Sequence, residues 1–232
     1  MRECINKWLA AAVLLCAATV AHSQAMVHTA TATGNYAGKI DFTVCGIGPC
    51  QNFTLAMGAS GSFNTAAPLA PNLAAANIAP LMTSFSFTDG ITTYSSANPA
   101  VRILVATVST NGAGAITASD IRVQRWHTGV VPHVAGDRLS MVEIGATGSG
   151  DNNAPCINVG VSPAGTPDSC VLIGGDAGRS IAFNSARVWA SAPLLAAAPA
   201  AIPTLSEWGL VLMAALMGLA AVVTLRRGFR PR

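Results

Sequence analysis

Charge is scarce in this chain. Charged residues make up 10% of it and aromatic residues 6%, against 51% hydrophobic. Within residues 26–201 the basic side chains are Lys39, Arg102, Arg122, Arg125, Arg138, Arg179 and Arg187. The acidic ones are Asp41, Asp89, Asp120, Asp137, Glu143, Asp151, Asp168 and Asp176, so seven face eight and the net charge is near −1. The formal +3 of the whole chain therefore belongs to its two ends. Nucleic-acid binding needs a basic face on the folded domain; none is present, and no nucleic-acid partner is expected.

Catalytic patterns are equally thin. Glycoside hydrolysis needs two well-placed acids; Glu143 is the one glutamate of residues 26–201, and on its alternating strand an outward surface position is the simpler reading. No Gly-x-Ser-x-Gly elbow occurs, and Ser60 and Ser149 sit in glycine-flanked loop contexts. Residues 174–178, Gly-Gly-Asp-Ala-Gly, lack the Lys-Ser/Thr continuation of a phosphate loop and read as a turn. His28 lies where the mature N-terminus is expected to be loose. His127 and His133 stand on either side of Gly129 and Pro132; they would meet in a turn to share a metal, but solvent-facing positions are the simpler reading. Asp151-Asn152-Asn153 offers oxygen ligands without the EF-hand spacing, and a flexible loop over 145–153 explains it. No enzyme activity, cofactor or metal site is expected.

The N-terminus is explicit. Arg2 and Lys7 precede an apolar run over 8–21, and small residues follow at Ala21, Ser23 and Ala25. This is the pattern of a secretory signal peptide cleaved after Ser23 or Ala25, assigned to residues 1–25. An uncleaved anchor is the alternative, and the run is short for one. No small residue precedes Cys16 in the position a lipidated cysteine requires.

Cys45, Cys50, Cys156 and Cys170 then remain in an oxidising compartment. Four cysteines allow three pairings. The local one, Cys45 with Cys50 and Cys156 with Cys170, is preferred, because glycines and prolines inside each interval let the chain turn back. A zinc site is the rival, and the two spacings do not match those of zinc ribbons.

Residues 26–189 read as a β domain. Strands are expected at 36–44, 53–57, 60–63, 83–88, 91–94, 101–108, 116–126, 140–144, 157–161, 170–173 and 179–189. Asp89-Gly90 between two alternating runs is a hairpin signal. Residues 71–78 are bracketed by prolines and read as a turn of helix on a loop. Regular strand spacing with Gly, Asn and Pro between argues an all-β, antiparallel sandwich or barrel-like ectodomain. Trp126 and Trp189, at or near strand ends, are the candidate ligand contacts. Residues 190–201, rich in Ala and Pro, read as a linker.

The tail carries the sharpest pattern. Ile202, Pro203, Thr204 and Leu205 lead to Trp208 and Gly209. An uncharged run over 208–225 follows, then Arg226 and Arg227. The run is long enough for one transmembrane helix, and the arginines would hold its end in the cytoplasm. This stretch, 202–232, resembles the IPTL-type C-terminal sorting signal of Gram-negative bacteria. That resemblance implies an exosortase-type enzyme as processing partner, after the general secretion machinery has delivered the chain and the inner membrane has held it by the C-terminal helix. It implies a periplasmic ectodomain before processing and a cell-surface or extracellular one afterwards. A plain anchor that is never cut is the alternative. Residues 36–126 also resemble a β-rich ectodomain of exported proteobacterial proteins, which supports the β reading and supplies no chemistry. A structural or adhesive surface component is the expected function. The alternatives are a glycan- or small-ligand-binding module using Trp126 or Trp189, favoured by a polar-edged pocket, and a hydrolase, favoured by a Ser–His pair or paired carboxylates.

Overall fold

The computed structural model describes residues 24–194 and 215–216. The described chain up to Leu194 forms two antiparallel sheets. The smaller holds, in spatial order, β13 (Arg187–Pro193), β1 (Met26–Ala32), β3 (Ser60–Thr65), β5 (Met82–Thr88) and β6 (Thr93–Ser95). The larger runs β2 (Gly38–Ile40), β12 (Ser180–Ser185), β10 (Gly148–Gly160), β9 (Arg138–Ile144), β8 (Ile116–Trp126), β7 (Val101–Thr110) and β4 (Ala76–Asn77); β11 (Ser169–Ile173) pairs with the far half of β10. The fold is an all-β sandwich.

Alternation fixes which face is buried. Ala106 and Val108 of β7, Ile121 and Val123 of β8, and Val142 and Ile144 of β9 meet Ala30, Phe63, Phe87 and Tyr94 of the smaller sheet in one core. A second, smaller cluster of Trp126, Leu139, Cys156 and Cys170 forms on the opposite face of the larger sheet, beneath β11. Gln124 secures that cover: its side chain accepts from the Cys170 amide at 2.9 Å and donates to the Cys170 carbonyl at 3.3 Å. Cys45–Cys50 and Cys156–Cys170 are each at disulfide distance, with Cα atoms 5.7 Å apart, which is the local pairing.

The hairpin at Asp89-Gly90 is present, with Thr88 opposite Thr93, and β8 has the expected bounds. Other expectations are corrected. Of residues 36–44 only Gly38–Ile40 are strand, because β2 pairs with β12 alone and the chain then leaves into the disulfide loop. Ile40 and Val44 are consequently 58% and 62% exposed. Residues 53–57 turn rather than extend; Met57 donates back to the Thr54 carbonyl, and Phe53 is buried singly against Tyr36. Residues 71–78 form a turn and the short strand β4, and the helical turn falls later, at Ala79–Leu81. Residues 145–153 are not a flexible loop, since β10 begins at Gly148 and Asp151, Asn152 and Asn153 are buried.

Nor is the segment around His28 loose: β1 lies inside the smaller sheet between β13 and β3. Residues 179–189 are two strands in different sheets rather than one, with the corner at Ala186. The expected linker is shortened at its start, because residues 190–193 continue β13 and pair with Thr29 back to Met26.

Candidate functional site

Three polar clusters bring together the histidines and tryptophans picked out from the sequence. The first is built on Asp168, held at φ 56° on the turn before β11. Its carboxylate accepts from the His133 ring Nδ1 at 2.8 Å, the His133 backbone amide at 2.8 Å and Arg102 Nη2 at 3.0 Å. Burial would raise this carboxyl, but the bonds from His133 and Arg102 outweigh it and hold Asp168 below its ordinary value. The Trp126 indole N–H donates to the Asp168 carbonyl at 3.1 Å, and the His133 ring stacks on Trp126 with centroids 4.2 Å apart and planes 6° apart. Trp126 is 4% exposed. Its face and its donor are both engaged within the protein, as they are when a tryptophan plugs a core.

The second cluster contains the oxygens considered for calcium. Asp151 pairs through both carboxylate oxygens with Arg179. Asn152 Oδ1 accepts from the Ser140 hydroxyl at 2.9 Å, and Asn152 Nδ2 donates to the carbonyls of Pro49 and Gln51. Asn153 Oδ1 accepts from Arg138 Nε at 3.2 Å, and its Nδ2 donates to the carbonyls of Ile47 and Gly178. These side chains pin the Cys45–Cys50 loop and residues 174–178 to β9 and β10, and their oxygens are spoken for. His127 Nε2 lies 2.6 Å from the Ser140 hydroxyl, so His127 and His133 engage different partners. Among the described residues no group of three or more His, Cys, Asp or Glu side chains is placed to hold a metal.

Burial, then the nearby Arg125 charge, hold His127 down to about 4 from an ordinary 6.5. Burial lowers His28 in the same direction. Unfolded histidine takes up its proton near pH 6.5 while folded His127 does not until about pH 4, so the unfolded state binds more protons between those values. The His127 contribution to stability is therefore present above pH 6.5 and is lost as pH falls toward 4. After allowing for the ring's partial exposure we expect a loss of about 2 kcal/mol. Urea denaturation at several pH values checks it: His127→Gln, which keeps a donor for Ser140, will lose this gain in stability between pH 4 and 6.5, so that its profile falls with rising pH relative to the wild type. A profile parallel to the wild type would mean that the ring titrates normally.

The third cluster joins β1, β3 and β13. His28 is buried and stacks on Phe63 with centroids 4.7 Å apart. Thr65 spends its hydroxyl proton on the Ala67 carbonyl at 2.6 Å, so toward His28 Nε2, at 3.1 Å, it acts as acceptor. That assigns the proton to Nε2 and leaves Nδ1 to accept the Ser191 hydroxyl at 2.8 Å. A Ser–His pair at this distance is the core of an activated nucleophile, and it opens on a cavity of about 220 Å³ lined by Met26, Pro68, Leu69 and Gly114. The orienting position holds the uncharged Thr65, where hydrolytic triads carry a carboxylate. Trp189 sits alongside, edge-on to Phe63 and donating from its indole to Ser119 at 3.0 Å. Ser149 instead donates to Glu143 at 3.2 Å.

His28, Gln124 and the Asn152-Asn153 pair were missed as structural polar groups. The only sequence signal for the first was the weak alternation Val27, Thr29, Thr31 around it.

A stapled β-sandwich carrying buried polar struts fits an exported protein, and the tail defines the class. The family model for the IPTL-CTERM motif matches residues 200–227. The match takes in Ile202, Pro203, Thr204, Leu205, Trp208, Gly209, Arg226 and Arg227. The chain thus bears the C-terminal sorting signal of an exported, surface-destined protein, a signal for exosortase-type processing. No curated protein and no solved structure matches the chain. The motif and the apolar run 208–225 lie outside the described residues apart from Ala215 and Leu216, which are helical. Among the described residues no helix is long and apolar enough to cross a membrane. The expected signal peptide likewise falls largely on residues 1–23, outside those described.

Proposed function

We propose that this protein is a structural or adhesive component of the cell surface or extracellular matrix, without enzymatic activity. A signal peptide exports it, the apolar run 208–225 holds it in the inner membrane, and an exosortase-type enzyme cuts at or near Ile202 to Gly209. The observation that carries the reading is the motif match at 200–227, which begins just beyond a folded β domain whose last strand ends at Pro193. Residues 194–201 are left between Pro193 and Ile202. Pro203 cannot sit inside a helix and favours an extended residue before it, as a protease cleft requires. The hydrolase alternative draws only on the Ser191–His28 pair. The ligand-module alternative draws on two tryptophans whose indole N–H groups are both occupied.

Comparing the mature protein in cells expressing wild type, Pro203→Ala and Trp208→Ala tests it. Intact mass should place the wild-type C-terminus near the motif and fractionation should place the protein outside the inner membrane. Both variants should keep the tail and stay in the membrane fraction. A wild-type protein that retains residues 210–232 would make the tail a permanent anchor and end the sorting reading.

A further inference from the structure

The smaller sheet is open at β13. Among the described strands, three of the four edges of the two main sheets are trivial, since β2 and β6 are three residues long and β4 is two. Edges that short offer a neighbour little to pair with. The five-residue β11, paired only with β10, has its Cys170 amide and carbonyl taken by Gln124. β13 has seven residues and pairs with β1 without a register shift. Its polarity follows from the bonds that flank the ladder. Thr33 donates to the Ala186 carbonyl at 2.8 Å and Leu194 to the Ala25 carbonyl at 2.7 Å. In an antiparallel pair such residues alternate, so the even-numbered residues of β13 bond to β1. Arg187, Trp189 and Ser191 then point their backbone N–H and C=O groups away from the sheet, and no described residue meets them.

The devices that blunt an edge are confined here to its two ends, an inward-turned charge at the first residue and a proline at the last. It has no lysine, and its only proline is the terminal Pro193. Its one charged side chain, Arg187, turns inward against Gly148, the absence of whose Cβ leaves room for the guanidinium. The outward side chains are Val188, Ala190 and Ala192, with Val27, Thr29 and Thr31 behind them. Val188 is 55% exposed. Nothing on this strip would repel an identical strip.

We infer that β13 is a self-association edge, which pairs antiparallel with β13 of a second copy about a two-fold axis at Trp189. The occupant follows from symmetry: the free groups at 187, 189 and 191 are evenly placed about residue 189, so the strand is complementary to itself. Arg187 pairs with Ser191 of the other copy, and Trp189 with its own counterpart. Val188 lies opposite the small Ala190 on the outer face. The two indoles become a cross-strand aromatic pair. The smaller sheets of both copies join into one continuous sheet, and the unpaired backbone groups are satisfied. One strand pair buries less than the roughly 1,000 Å² of a stable free-standing interface. The pairing is therefore weak in dilute solution and effective where copies are crowded on a surface.

Directed cross-linking of full-length exported protein tests the register. Val188→Cys and Ala190→Cys chains carrying tags of different size are produced alone and together, then oxidised mildly. Residues directly opposite have Cβ atoms about 5 Å apart, and diagonal neighbours lie about 7 Å apart. The mixed pair should therefore give a disulfide-linked heterodimer at least several-fold above either chain alone. Adding Ser191→Pro to both chains should abolish it, because that N–H faces the neighbour and not β1, while Ser191→Ala should leave it intact. No heterodimer, or equal cross-linking from each chain alone, overturns the inference. Neither outcome bears on tail processing, which is read separately by mass.

Discussion

Arg138→Ala is expected to lower the unfolding free energy of the β domain by about 4 kcal/mol, enough to exhaust much of the stability of an ordinary domain. Arg138 is 7% exposed on the first position of β9. Its Nη2 donates to the Asn153 backbone carbonyl, its Nε to Asn153 Oδ1 at 3.2 Å, and Nη1 and Nη2 fork onto Asp176. The Asp176 end is the cheaper part, because that side chain is 43% exposed and water can replace the arginine. The Asn153 end cannot be rehydrated without opening the domain, because Asn153 is fully buried with φ at 57°. The same asparagine holds the carbonyls of Ile47 and Gly178, so the Cys45–Cys50 loop should undock with it. Urea denaturation of the non-reduced protein gives the loss. Asp176→Asn is the control and should cost within about 1 kcal/mol. If the two variants lose equally, the ion pair rather than the Asn153 contacts carries the energy.

How legible this was depends on what each residue's pattern encodes. Strands with alternation over five or more residues, such as 83–88 and 116–126, could be placed, because one buried face imposes a period of two. The disulfide pairing was legible because Gly and Pro between the cysteines dictate a local return. Residues 148–153 were not. Gly-Ser-Gly-Asp-Asn-Asn has a loop's composition, yet it is central strand, since its polar side chains are used inward to hold a loop about a hundred residues earlier in the chain. β1 was hidden for a similar reason. Its inward residues are His28 and Ala30, neither of which announces a core position, and a histidine becomes a core residue only when Thr65 and Ser191 arrive from distant strands. The Trp126–His133–Asp168 cluster needed the turn before β11 to fold back over β8, which no local periodicity records. The sorting motif was the reverse case, legible by residue type and spacing with no fold behind it.

Asp89 supports the second large prediction. It stands at the β5–β6 turn, fully buried. One oxygen accepts from the amides of Ile91 at 2.8 Å and Thr92 at 2.6 Å, and the other from the Tyr94 hydroxyl at 2.6 Å. Asp89→Ala strands two amides and a phenol in the core, at roughly 1–3 kcal/mol each, so a loss of about 5 kcal/mol is expected. Asp89→Asn keeps an acceptor for the amides and should cost far less. It also separates chemistry from packing. Burial pushes the Asp89 carboxyl up to about 6, and the bonds from Thr92, Tyr94 and Ile91 offset only part of that. Between pH 4 and 6 the folded carboxyl keeps its proton while the unfolded one releases it. The folded state then binds more protons, and stability falls as pH rises through that window, by up to about 3 kcal/mol. His127 runs the opposite way over nearly the same range. The wild-type profile should therefore be shallow from pH 4 to 6.5, the two slopes offsetting each other. In Asp89→Asn the histidine slope is no longer offset by Asp89, so the variant should gain stability with pH relative to the wild type. Denaturation midpoints at pH 4, 5, 6 and 7 decide the matter. Parallel profiles would mean that Asp89 ionises alike in the folded and unfolded chain, and that its buried bonds hold a carboxylate rather than an acid.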